Sequence, residues 1–156
     1  MKIKLYTIFT DSHKLFLDEL IKQLKDKIKY STTIITNENY NEMIDKGFNS
    51  HEIKTFVHLK NIEKMPTNCP IIMDQYASQK KFEEYSNNLN MKINHKILFH
   101  EKADSKFLSV SVASIFARYE LVMYKHKLEQ ELGMKIFYGA GKDAVIVSEI
   151  LKPKHF

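Results

Sequence analysis

Apolar residues recur along this chain in two rhythms, and each change of rhythm marks an element. Residues 2–9 alternate Ile3, Leu5, Thr7 and Phe9 against Lys2, Lys4 and Tyr6, the period of a half-buried strand. From Asp11 the spacing turns helical. Leu15, Phe16, Leu20, Ile21, Leu24 and Ile28 share a face, with Lys22, Lys25 and Lys27 on or near the other side. That predicts an amphipathic helix to about Lys29, capped by Asp11 or Ser12. Adjacent helix positions diverge by about 100°, so Asp18 and Glu19 inside it form a solvated face rather than a metal site. Residues 31–36 (STTIIT) are β-branched and read as a strand. Asn37 is placed to cap a short helix through Tyr40, Met43 and Ile44 that ends near Gly47. Asn49 and Ser50 then cap a helix with Ile53, Phe56, Val57, Ile62 and Met65 as its stripe. His51 and His58 flank that stripe, but no Cys or carboxylate stands at zinc-ligand spacing beside them.

Pro66 ends this helix and Pro70 opens a short apolar run, residues 71–73 (IIM), with Asp74 and Gln75 at its end. A polar helix over residues 80–89 and a strand over 92–99 follow. The stretch from Ile97 to Leu132 organises the rest. An apolar strand end gives way to a polar break (residues 100–104, HEKAD) and then to a long helix over residues 106–132. Phe107, Leu108, Val110, Val112, Ile115, Phe116, Tyr119 and Val122 leave its first turns almost no polar face, the mark of a central, buried helix. It becomes charged after Met123 and stops at Gly133. In the glycine turn at 139–142, Asp143 follows Lys142 where a phosphate loop needs Ser or Thr. Asp143 can cap a last helix through Val145, Ile146, Ile150 and Leu151. Strands separated by helices predict an α/β sandwich with a mixed sheet.

Candidate chemistry lies at the ends of two of these strands. Asp104 sits at the start of the long helix, where it or Ser105 could serve simply as an N-cap. Asp74 ends another apolar strand, and in α/β proteins ligands gather at the carboxyl ends of strands. Two acids so placed could hold a divalent cation, since hard ions take oxygen ligands and nucleases use such sites on phosphate. The alternative is two solvated loop acids.

Composition narrows this picture only slightly. With 156 residues the chain is expected to form a single domain, 1–156. Its net charge is +5 and its sequence pI about 9.1, compatible with a nucleic-acid partner without demonstrating one. Cys69 is the lone cysteine, which rules out an intrachain disulfide and favours a reducing compartment. No run approaches the roughly 18 apolar residues of a membrane span, and the N-terminus does not read as a signal peptide.

Several blocks together resemble bacterial ribonuclease HIII, a branch of the type 2 ribonuclease H family. They are DQYAS at 74–78, HEKADSKFLSVSVASIFARYE at 100–120, ELGMKIFYGAGK at 131–142 and the terminal KHF. Upstream, TDSHKLFLDELI at 10–21 is similar to the family's Asp-Ser-Lys-Lys-Leu segment. Residues 39–64 are similar to its Tyr-Asn and Asn-rich helical region. The resemblance implies an α/β, ribonuclease H-like mixed sheet with flanking helices. It also implies cleavage of the RNA strand of RNA–DNA hybrids with Mg²⁺ or Mn²⁺ held by four acids, in the cytoplasm. Asp74 and Asp104 match two of those acids and are implied to be catalytic and metal-binding. Lys14, Lys102 and Arg118 are implied to contact nucleic acid.

The departures bear on activity. The family's strand with adjacent Asp-Glu and a glycine–basic–glycine turn, source of the other two acids and of the RNA 2′-hydroxyl reader, has no counterpart in this sequence. The amino-terminal substrate-binding domain of the HIII branch is also missing. His13 replaces the family's Lys, and Phe137 its usual Pro. The expectation is therefore a partial ribonuclease H-like domain lacking the first strands and inactive alone. Activity would require that a separate chain supply the missing acidic strand, or that this sequence be a fragment of a longer product. The alternative is a non-catalytic remnant or nucleic-acid-binding module of the same fold.

Overall fold

Strand β1 (Ile71–Asp74) and strand β2 (Ile97–His100) run parallel, with Ile71 opposite Ile97 and Asp74 opposite His100. The computed structural model describes residues 11–136, and residues 11–15 by backbone alone. The expected strand at 2–9, the glycine turn and the last helix lie outside the described residues. So the only sheet among the described residues is this parallel pair. Parallel strands need a crossover, supplied here by helix α4 (Gln79–Asn88), which Ser78 caps by accepting from Lys81 N at 3.2 Å.

Before β1 come helices α1 (Asp11–Leu24), α2 (Asn37–Asp45) and α3 (Ser50–Ile62). Asn49 caps α3 as expected. Its Oδ1 accepts from Glu52 N at 2.9 Å while its Nδ2 donates to the Glu52 carboxylate at 2.8 Å. That reciprocal bond explains how Glu52 can be buried. Leu59, Ile62, Met73 and Phe82 form the core beneath β1, and Ile97 and Phe99 of β2 pack against it. Phe82 meets Phe99 edge-on at 5.3 Å between ring centroids.

Two compact units divide the chain: among the described residues, 28–117 form one, and 11–27 with 118–136 the other. In the second, Leu17 and Ile21 of α1 and Val122 are buried. α1 ends at Leu24, short of Lys29, because residues 25–29 add only Ile28 to the apolar stripe and it stays 36% exposed.

Four expectations depart from the structure for identifiable reasons. Residues 31–36 form no strand. Their hydroxyls bind a side chain instead: Ser31 and Thr33 donate to Asn61 Oδ1 at 3.2 and 2.7 Å. Thr36, not Asn37, caps α2, accepting from Asn39 N at 3.2 Å. The strand expected over 92–99 is confined to β2, within the reach of its only partner among the described residues, the four-residue β1. The polar break expected at 100–104 runs into a short helix, α5 (Ala103–Lys106), which Phe107, with an extended backbone (φ −127°, ψ 122°), separates from the expected long helix, α6 (Leu108–Leu132). Consequently Leu108 is 80% exposed at the start of α6, while Val110 and Phe116 are buried. The helix ends as expected before Gly133, which takes a left-handed φ of 67°.

Candidate metal centre at the strand ends

Asp74 is the last residue of β1 and is buried. A buried carboxylate needs hydrogen-bond partners, and one is the backbone of Ala103: its N–H donates to Asp74 Oδ1 at 3.1 Å. One further rung continues the ladder beyond Asp74, with Gln75 N donating to His100 O at 3.0 Å. The residue after Ala103 is Asp104, exposed in the first turn of α5. The Asp74 carboxylate thus accepts from the backbone of the residue that directly precedes Asp104. A carboxylate offers about four lone-pair positions, so an amide bond at one oxygen is compatible with a cation.

By donor chemistry the pair suits a hard divalent ion. By number it supplies two ligands, and among the described residues no cluster of three or more His, Cys, Asp or Glu is arranged to hold a metal. Lys102 lies directly before Ala103, exposed and in the left-handed conformation (φ 51°, ψ 43°). Arg118 is on α6 in the other unit, as is Lys14 on α1, whose side chain is outside the described ones.

Sequence reasoning passed over the residues that back Asp74. Two positions past it, the Tyr76 hydroxyl shares a 2.6 Å hydrogen bond with Thr55, a fully buried residue of α3 whose Oγ1 also donates to His51 O at 2.8 Å. His58 stacks on the Tyr76 ring at 5.5 Å, and Lys54 Nζ lies 4.6 Å from its centre. Burial pushes the Tyr76 hydroxyl up to about 12. Burial, with the positive charge of Lys54 nearby, pulls His58 down to about 3. The available signal was the spacing of His51, Thr55 and His58, polar residues at i, i+4 and i+7 on a helix with a buried stripe. His100 was also passed over: it stands opposite Asp74, its ring 4.7 Å from that of Phe107.

The sequence model of ribonuclease HII matches residues 4–152. This chain belongs to the ribonuclease HII family. Its curated relatives include ribonuclease HIII of Phytoplasma mali, 34% identical over 80% of this chain and 44% of the relative. Another is ribonuclease HIII of Bacillus mycoides, 33% identical over 87% of this chain and 46% of the relative. The chain therefore spans about half the length of the curated relatives it matches. Among solved structures, Bst-RNase HIII in complex with Mn²⁺ superposes with a TM-score of 0.79 at 20% identity. It covers 94% of this chain, which in turn covers 49% of it. That likeness establishes the ribonuclease H-like α/β fold. No described helix is long and apolar enough to cross a membrane.

Proposed function

We propose that this chain carries one half of a ribonuclease HIII-type active site, acting on the RNA strand of RNA–DNA hybrids in the cytoplasm. The hydrogen bond from Ala103 N to Asp74 Oδ1 carries the reading, because it ties the end of β1 to the start of α5, one residue before Asp104. Asp74 and Asp104 are the residues that would hold Mg²⁺ or Mn²⁺. The chemistry supplied on binding is activation of a water and stabilisation of the leaving 3′ oxygen. Asp74 is oriented by the amide and by the core behind it. Asp104 reaches solvent, where a phosphate would approach. Lys102, Lys14 and Arg118 are the cations that would meet the backbone of the hybrid.

With two carboxylates of the four, the isolated chain is expected to cut weakly or not at all. Full activity would need the remaining acids, from a longer product of which this sequence is a part or from a separate chain. A second reading is a hybrid-binding module of the same fold without catalysis.

Cleavage of a labelled RNA–DNA hybrid in Mg²⁺ and in Mn²⁺ tests the first reading. Any cutting by the chain should vanish in Asp74→Asn, and equal cutting by both removes the metal role. Hybrid affinity measured at two salt concentrations tests the second. It should fall steeply as salt rises, because phosphate contacts release counterions. A flat response excludes a phosphate-binding groove.

A further inference from the structure

We infer that Lys102 positions the two acids through its backbone, in a role separable from its charge. The inference rests on the metal-site reading above. Among the described residues, only Asn90 and Lys102 have positive φ without being glycine. Asn tolerates this region through its short polar side chain, whereas a lysine gains nothing local from it. Residues held there persist where their surroundings over-determine them, and the surroundings of Lys102 are specific.

β2 ends at His100, and the chain must reverse within two residues to start α5 at Ala103. The left-handed turn at Lys102 accomplishes this and sets the Ala103 N–H on Asp74 Oδ1, with Ala103 fully buried. It also aims the Lys102 carbonyl at Ser105, whose N–H and Oγ donate to it at 3.0 and 2.8 Å. Those bonds close the turn that contains Asp104. An extended residue at 102 would carry the Ala103 amide off the carboxylate and take Asp104 with it. The ammonium group, by contrast, sits at the end of an exposed side chain, and the turn does not require it.

Backbone and charge can be separated by substitution. Lys102→Gly keeps access to the left-handed region and loses the ammonium group. Lys102→Val carries a β-branched side chain that resists it, and Lys102→Ala is a milder version should the valine variant fold poorly. Mn²⁺ affinity of the whole chain is read by electron paramagnetic resonance of free Mn²⁺, and exchange of the Ala103 amide by NMR.

The glycine variant should keep Mn²⁺ affinity within about twofold while losing hybrid affinity and part of its salt dependence. The valine variant should weaken Mn²⁺ binding about tenfold and speed Ala103 exchange by a similar factor, with alanine between the two. The inference is overturned if valine and alanine bind Mn²⁺ like wild type with unchanged Ala103 exchange, or if glycine weakens Mn²⁺ as much as valine does. Wild-type Mn²⁺ affinity in Asp74→Asn would instead remove the metal-site reading itself.

Discussion

Asp74 accepts from the amide of Ala103, the residue before Asp104, yet the chain supports the two acids in opposite ways. Asp74 closes a strand whose preceding residue, Met73, is 4% exposed and packs with Leu59, Ile62 and Phe82. Tyr76, just beyond it, is bonded to α3 through Thr55. Asp104 stands in a four-residue helix, with Glu101, Lys102, Ser105 and Lys106 all exposed around it. Burial therefore holds one acid, and local backbone geometry holds the other. A two-acid site assembled this way has a rigid wall and an adjustable rim, so insults to the two sides should be told apart by whether stability falls along with metal affinity.

The largest effect is expected in the wall. Phe82→Ala empties the core between α4 and the sheet and should cost about 3–5 kcal/mol in urea unfolding, with Mn²⁺ affinity falling as β1 loosens. Asp74→Ala leaves the buried Ala103 amide without its acceptor and should cost about 1–3 kcal/mol. Asp74→Asn keeps an oxygen acceptor, so it should spare most of that stability and still lose Mn²⁺. If Ala and Asn prove equally stable, the amide link does not orient Asp74.

Acid should also act on the wall. His58 is held near 3 in the folded chain against its ordinary 6.5, so the unfolded chain binds the extra proton. The associated stability is complete above pH 6.5 and drains as pH falls toward 3. By pH 5 the loss should be about 2 kcal/mol. His58→Gln should flatten that limb of the pH–stability curve, and an unchanged limb would assign it to other groups. The smallest effect belongs to the rim. Asp104→Ala should change stability by less than about 0.5 kcal/mol while weakening Mn²⁺ as much as Asp74→Asn does. A large stability loss in Asp104→Ala would erase the contrast between the two sides.

What could be read from the sequence follows the same division. β1 was legible because its apolar run is bounded by Pro70 and Asp74, α4 because a polar helical stretch follows Ser78, and β2 in its apolar residues 97–99 alone. The segment 31–36 was not, since β-branched residues make a strand only where a partner strand accepts them, and here Asn61 accepts their hydroxyls instead. The break at Phe107 was invisible because an aromatic residue carries no stop signal. The candidate acids could be chosen from their strand-end positions alone. Their link could not, because it is made by the amide of Ala103, and backbone amides look alike in every sequence. The left-handed turn at Lys102 was hidden for a similar reason: neither Gly nor Asn marks it.

The most direct test of the central claim, that these two acids take one cation, is a Mn²⁺ titration followed by paramagnetic broadening of backbone amide signals. The account predicts that the amides of Asp74, Gln75, Ala103 and Asp104 broaden together at the lowest Mn²⁺ additions, and that all four stay sharp at those additions in Asp74→Asn. Broadening that begins at one strand end without the other, or that survives Asp74→Asn, would contradict it.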